Sequence, residues 1–206
     1  MTPVLSGFYY FSTPKLYEMS FTESENFLRQ DYTTSALSKG EYDNCTFTGC
    51  NFSGSDLSYI IFSECEFTDC NFSMAKTQGT AFKDVDFKNC KMTGFNFSTA
   101  EPFLLSMNFT ECQLNLSSFY GVKLKKARFK DCILHESDLT QADFTQASFA
   151  GCDFKHTVFE NTVLEKADLR TAINYSIDPE QNRIKKAKFS LPEVTGLLDR
   201  YAIEIE

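Results

Sequence analysis

Cysteine is the residue type in this chain best suited to metal binding, disulfide formation or nucleophilic catalysis, and its spacing is regular. Separations within each half of the chain are multiples of five residues, and no Cys-x-x-Cys pair occurs. Structural zinc sites and redox-active dithiols use closely spaced cysteines. The spacing therefore argues against both kinds of chemistry. The eight positions are Cys45, Cys50, Cys65, Cys70, Cys90, Cys112, Cys132 and Cys152.

A five-residue repeat imposes that spacing. Blocks such as CTFTG and CNFSG run from Cys45, and blocks such as CQLNL and SSFYG run from Cys112. The third residue of each block is large and apolar, mostly Phe or Leu, with Thr77 as the exception. The first residue is nearly always small, and the other three are mainly polar. The repeat accounts for most of the 22 Phe in a chain without Trp.

A period of five fits neither an α-helix nor an extended strand, so we expect the chain to turn a corner after every block. The large third residue and the small first residue would then face inward. Four blocks close a square coil, and successive coils stack as parallel strands about 4.8 Å apart. We predict about eight coils between residues 37 and 189.

With these blocks the chain resembles the pentapeptide-repeat family, whose consensus block is A-(D/N)-L-x-x. The blocks SDLSY at Ser55, ADFTQ at Ala142 and ADLRT at Ala167 carry the resemblance most closely. The resemblance covers about three quarters of the chain and implies an all-β fold, a right-handed quadrilateral parallel β-helix. The handedness comes from the resemblance alone.

All eight cysteines occupy the small first position of a block, so a twenty-residue coil stacks them in inner columns. We expect Cys45 over Cys65, a second column of Cys50, Cys70 and Cys90, and a third of Cys112, Cys132 and Cys152. Such columns could hold a metal or disulfides, but stacked parallel side chains suit disulfide geometry poorly. We interpret the cysteines as small buried hydrophobes and predict no metal and no cofactor.

The repeat also sets the expected domain boundaries. Residues 1–30 show no clear repeat, and we expect an irregular N-terminal cap; residues 31–190 form the solenoid. Two extra residues interrupt the register within 98–108, where Pro102 cannot donate to a strand. This break is either a packing adjustment between two halves of the rod or a protruding contact loop.

Residues 191–206 change character. Ser190 and Glu193 have capping-box spacing, and the apolar residues that follow recur as in an amphipathic helix of about three turns. We expect this helix to cap the open end of the solenoid. In family members the C-terminal segment forms a two-fold dimer, so the segment is also a candidate homodimer interface. The residues proposed for it are Val194, Leu197, Leu198, Tyr201, Ile203 and Ile205.

The charge of −8 is unevenly distributed, and coil stacking concentrates part of it. Glu64 should lie over Asp84, and Glu66 over Asp86, on either side of one corner, with Asp69 on the next stretch of the coil. This group forms a candidate acidic interaction strip; a solvated surface that serves only solubility is the alternative.

These features predict a non-catalytic protein. The inner lining has no regular His, Asp or Glu, and no phosphate-binding, zinc or nucleophile motif occurs. We expect a protein-interaction scaffold with an unidentified partner. The alternative, implied by family members of the Qnr, MfpA and AlbG types, is a DNA-mimicking ligand of DNA gyrase and topoisomerase IV that protects against quinolones. We expect no direct nucleic-acid binding, no membrane segment, no signal peptide and a cytoplasmic location.

Overall fold

The five-residue repeat folds as a four-sided β-solenoid in the computed structural model, which describes residues 20–204. Every strand pair is parallel, so the predicted fold class is confirmed. The strands are β1 (Ser20–Glu23), β2 (Asn26–Leu28), β3 (Gly40–Asp43), β4 (Thr46–Thr48), β5 (Ile61–Ser63), β6 (Glu66–Thr68), β7 (Ala81–Lys83), β8 (Val85–Lys88), β9 (Met107–Thr110), β10 (Arg128–Lys130) and β11 (Ser148–Ala150).

The strands occupy two adjacent sides of the solenoid. Face 1 carries β1, β3, β5 and β7, and face 2 carries β2, β4, β6, β8, β9, β10 and β11 in that order. Faces 3 and 4 are held by isolated bridges such as Asn51↔Asn71 and Asp56↔Lys76. Face 2 has seven strands where we expected about eight coils; beyond β11 its column continues through the single bridges Ser148↔Asp168 and Asp168↔Lys188.

The fifth residue of a block makes the corner by adopting a left-handed backbone. Glu64 has φ 51°, Asp84 has φ 52° and Gly79 has φ 64°. Only glycine takes this conformation without cost, and Asn and Asp tolerate it better than other residues. Gly79 has a second reason to lack a side chain, because a Cβ there would lie 2.8 Å from the ring of Tyr59.

The large third residues stack along the rod into a continuous core. On face 2 the rings of Phe47, Phe67 and Phe87 are nearly parallel, with centroids 4.7 and 5.2 Å apart. The stack continues across the register break, where the rings of Phe87 and Phe109 lie 5.4 Å apart. Rings on neighbouring faces meet edge to face, as Phe67 and Phe72 do at 5.1 Å. Aromatic pairs prefer both geometries to a face-centred sandwich.

The small first residues bond to the coil before them. The thiol of Cys65 donates to the carbonyl of Tyr42 at 3.2 Å, and Thr80 Oγ1 donates to the carbonyl of Leu57 at 2.9 Å. Lys91 and Gln113 form a bridge across the register break. This bridge joins two of the expected cysteine columns into one, which runs through Cys50, Cys70, Cys90, Cys112, Cys132 and Cys152. All eight cysteines are buried free thiols.

The solenoid begins earlier than we expected. Within the expected irregular cap, β1 pairs with β3 and β2 pairs with β4 in regular register. The ring of Phe27 stacks on Phe47 at 4.5 Å, so residues 20–30 belong to the coils. Glu25 and Gln30 occupy the position that is small elsewhere, which hides the repeat in the sequence. The remainder of that cap, residues 1–19, lies outside the described residues.

The prediction of a three-turn C-terminal helix was wrong. The segment forms two short 3-10 turns, Val194–Leu197 and Asp199–Tyr201. Gly196 explains the difference, because it packs so tightly on the last coil that a Cβ would lie 2.0 Å from the carbonyl oxygen of Tyr175. The amide of Ile177 donates to the carbonyl of Gly196 at 2.9 Å, which takes that carbonyl out of any helix.

Candidate protein-interaction site

Four residues of the acidic strip lie at the corner between faces 1 and 2 or just beyond it on face 2, and the fifth, Asp69, lies at the far end of face 2. All five side chains are exposed. Glu66 and Asp86 are direct partners in the β6–β8 pairing. Glu64 and Asp84 form the corner one coil apart, and Asp69 forms the next corner. Four carboxylates of the strip thus form two adjacent columns, and within each column the two carboxylates lie one coil apart.

Neutral side chains relieve part of the repulsion among these carboxylates. Asn108 Nδ2 donates to Asp86 Oδ1 at 2.8 Å, and Asn89 Nδ2 donates to Asp69 Oδ1 at 2.6 Å. Thr68 Oγ1 donates to Glu66 Oε1 at 3.0 Å. Within residues 20–204, none of the salt bridges involves a member of the strip. The strip therefore keeps its negative charge available to a partner.

The two extra residues of the register break form a loop on face 1 beside the strip. The amide of Glu101 donates to the carbonyl of Thr80, and the amide of Ser106 donates to the carbonyl of Phe82, at 2.8 and 2.9 Å. Between these two anchors the chain leaves the face. Phe103 and Leu104 form the tip, with 70% and 62% of their surface exposed. We call residues 101–106 the face-1 loop.

Beyond the face-1 loop the charge of the same corner reverses. In the face-2 column Asp86 pairs with Asn108, whose Oδ1 accepts from the amide of Arg128 at 3.1 Å. At the corner itself Lys126 follows, with φ 62°. Lys126 and Arg128 are exposed, and neither forms a salt bridge within the described residues. We call these two residues the basic bank.

A shallow groove separates the acidic strip from the basic bank. Asp84 and Asp86 line one side, residues 125–128 line the other, and residues 105–108 lie between them. We did not predict the basic bank from the sequence. The run KLKKARFK is visible there, but placing it beside Asp84 and Asp86 requires knowing that the two extra residues are absorbed within a single coil.

The residues proposed for a C-terminal dimer interface differ in their exposure: some pack on the last coil and others are free to contact a second molecule. Leu197 packs against the core, and Tyr201 donates its hydroxyl to Glu180 Oε1 at 3.0 Å. Val194 and Ile203 are exposed, and Leu198 lies half-buried beside a shallow pocket that Ile203 also lines. Ile205 lies outside the described residues.

Salt bridges connect the C-terminal turns to the last coil. Arg200 Nη1 donates to Asp178 and to Glu180, and its hydrogen bond to Asp178 lowers the pKa of that carboxyl. Glu193, expected to form a capping box with Ser190, instead accepts from the amide of Asn174 at 3.4 Å. The segment therefore covers the open end of the rod as a strap rather than as a helix.

The interior offers little chemistry. Burial raises the pKa of Cys65 to about 12, so this thiol stays protonated and weakly nucleophilic at neutral pH. Burial also raises the pKa of Cys50. Within residues 20–204, no group of three His, Cys, Asp or Glu side chains could hold a metal ion. No helix among the described residues has both the length and the apolar character needed to cross a bilayer.

Comparison with known proteins agrees with this architecture. The family model described as "Pentapeptide repeat region" matches residues 41–101 and 103–169, with its gap inside the face-1 loop. The chain therefore belongs to the pentapeptide-repeat family. No curated protein matches the sequence.

The solved structures that resemble this chain do so at low sequence identity, and the first of them shows the fold. A trypsin-treated form of QnrB1, a plasmid-mediated fluoroquinolone resistance protein, is 20% identical with a TM-score of 0.59, over 91% of this chain and 98% of that chain. Full-length QnrB1 is 21% identical with a TM-score of 0.45, over 89% and 100%. HetL, from the cyanobacterium Nostoc sp. strain PCC 7120, is 15% identical with a TM-score of 0.44, over 81% and 89%.

Proposed function

We propose that this protein is a non-catalytic scaffold that binds a partner protein along the corner between faces 1 and 2. One observation carries the proposal: exposed carboxylates without salt bridges, Glu64 and Asp84 among them, share a groove with Leu104 of a loop whose apolar tip is exposed and which departs from the regular repeat. Hydrophobic anchors beside complementary charge are the usual elements of a protein interface. Solenoids commonly present such flat, extended surfaces to other proteins.

The interior supports the non-catalytic part of the proposal. Catalysis needs convergent polar groups in a pocket that excludes water. The space inside these coils is filled by stacked Phe and Leu side chains, and the grooves on the outside are shallow and open. Eight buried free thiols are what a reducing compartment permits, and on this ground we also propose a cytoplasmic location.

A capture experiment tests the scaffold proposal. Immobilised wild-type protein and the double variant Glu64→Lys/Glu66→Lys would be compared in a lysate of the native host. The matched control is Glu136→Lys/Glu160→Lys, which reverses two exposed carboxylates on faces 3 and 4. We expect one partner to be retained by the wild type and the control but lost by the strip variant. Identical capture by all three proteins would contradict a role for the strip.

A type II topoisomerase is the second candidate partner. The acidic columns along a rod, together with a fold shared with a fluoroquinolone resistance protein, favour it. Duplex DNA carries about one negative charge per 1.7 Å of axis, whereas the face-2 acidic column ends after Asp86 with Asn108 and Arg128. The strip therefore imitates only a short stretch of phosphates, which is why we rank this candidate second.

Gyrase supercoiling assays test the second candidate. Purified protein would be titrated into the reaction with and without ciprofloxacin. Inhibition of supercoiling, or protection from the drug, that is lost in Glu64→Lys/Glu66→Lys would support it. Unchanged supercoiling and unchanged drug sensitivity at micromolar protein would remove it.

The C-terminal segment remains our proposed end-to-end dimer interface, with Val194 and Ile203 as its exposed apolar contacts. An Ile203→Asp variant should then form a smaller assembly than the wild type in light scattering, because it lacks the end-to-end contact. An assembly whose mass in light scattering is unchanged by this substitution would refute that interface.

A further inference from the structure

The corner beside the face-1 loop has a charge pattern that is complementary to itself. Asp84 and Asp86 lie one coil before the loop, and Lys126 and Arg128 occupy the corresponding positions one coil after it. Asn108, a neutral side chain that contacts both Asp86 and the amide of Arg128, lies midway. Negative and positive charges are therefore equidistant from the loop along the rod.

This arrangement meets the requirement of an isologous interface, in which one patch on each subunit contacts the same patch on the other. A twofold axis that lies between two rods, perpendicular to both and at the level of Asn108, would align the rods antiparallel. Each position before the loop would then face the equivalent position after the loop in the second copy. Asp84 would meet the partner's Lys126, and Asp86 would meet the partner's Arg128.

We infer that two copies of this chain associate side by side and antiparallel through the face-1 loop. The tips, Phe103 and Leu104, are among the most exposed large apolar side chains of the described residues and lie at the level of the axis. Their counterparts in the second copy would cover them.

The antiparallel pairing also brings some like charges together, and one member of each such pair has a nearby counterion. Lys83 would face the partner's Lys125, but Lys125 is paired with Asp143 at 3.3 Å. Farther round face 2, Lys88 would face the partner's Lys130, which lies 4.0 Å from Asp131. Asp84, Asp86, Lys126 and Arg128 form no salt bridge within the described residues. The attraction between these four groups therefore outweighs the repulsion between the partly neutralised lysines.

The association needs only this chain, but it covers the same loop tips that the proposed partner protein would contact, so the second copy and the partner would compete for this surface. Two coils from the axis, Glu64 would face Gln146 and Glu66 would face Ser148, both uncharged. Reversing Glu64 and Glu66 should therefore abolish partner capture and leave the association of two copies unchanged. The two proposals can fail separately.

A charge-swap experiment tests the inference. Sedimentation velocity over a range of protein concentrations would compare the wild type with Asp84→Lys/Asp86→Lys and with Lys126→Glu/Arg128→Glu, all three carrying Ile203→Asp so that the proposed end-to-end contact is absent. We expect the wild type to dimerise, and each double variant to dimerise at least about tenfold more weakly because like charges then face each other. An equimolar mixture of the two variants should restore dimers, since their reversed charges complement each other. Raising the salt concentration should weaken the wild-type dimer.

Controls separate this dimer from the end-to-end dimer and from misfolding. Glu64→Lys/Glu66→Lys should dimerise like the wild type, and Ile203→Asp should not affect the side-by-side contact. Leu104→Cys should give a covalent dimer on mild oxidation, because the native thiols are buried and the two loop tips meet at the axis. A wild type that is monomeric throughout at low salt, or a mixture of variants that does not re-form dimers, would overturn the inference.

Discussion

At the scale of single residues, the same residue type has opposite roles according to its position in the block. Phe67 occupies the third position, is 0% exposed and stacks between Phe47 and Phe87. Phe103, in the face-1 loop, is 70% exposed. We expect Phe67→Ala to lower the free energy of unfolding by roughly 3–5 kcal/mol and Phe103→Ala to change it by less than about 0.5 kcal/mol. Urea denaturation followed by circular dichroism measures both; comparable losses would contradict the assignment of inside and outside.

The buried thiol of Cys65 should make the stability of the protein depend on pH. Cys65 has a pKa raised to about 12 by burial, whereas an unfolded thiol titrates near about 8.5. The unfolded chain therefore loses this proton first. The stabilisation is fully present below about pH 8.5 and is lost progressively as the pH rises towards 12.

Comparison with Cys65→Ala isolates this thiol from the other seven. The stability difference between wild type and variant should narrow by about 1 kcal/mol from pH 7.5 to pH 9.5. Denaturation curves under reducing conditions at several pH values measure it. A difference that is constant with pH would show that the thiol of Cys65 titrates alike in both states.

At the scale of structural elements, the repeat and the position of its break within residues 98–108 could be predicted from the sequence, whereas the shape of the break and the two ends of the rod could not. Third positions such as Phe52 and Phe129 are fixed by a period that every coil repeats, so core and corners followed directly. The N-terminal strands were not predicted because Glu25 and Gln30 stand at block positions that elsewhere hold a small residue. Both residues lie in the first described coil, so no earlier described coil packs on them. The basic bank was missed because its position beside Asp86 depends on how a single coil absorbs two extra residues.

The C-terminal strap shows a tertiary contact overriding a local pattern. Its apolar spacing favours a helix, but Gly196 sits against Tyr175 and its carbonyl accepts from Ile177. We expect Gly196→Ala to detach the strap, since the new Cβ would clash with the carbonyl oxygen of Tyr175. Limited proteolysis should then cleave the segment faster than in the wild type. Thr195→Ala, at the neighbouring exposed position, is the matched control; equal cleavage rates for both variants would argue against the contact.

At the scale of the whole molecule, the solenoid is a stack in which each coil contacts chiefly the coils before and after it. Stability in such arrays is approximately a sum over repeats and their nearest-neighbour contacts. A core defect should therefore be felt locally. Phe67 makes stacked contacts with the coils immediately above and below, through Phe47 and Phe87, whereas Leu164 is buried several coils away.

Hydrogen exchange tests this local response. In Phe67→Ala, the backbone amides of residues 60–88 should exchange markedly faster, while those near Leu164 should keep nearly wild-type protection under native conditions. In Leu164→Ala the pattern should be reversed. These amides donate to carbonyls of adjacent coils, such as Asp86 to Cys65 at 3.0 Å and Lys166 to Lys185 at 3.0 Å, so they report the opening of individual coils. Uniform acceleration along the rod in both variants would mean that the coils open only together, as one cooperative unit.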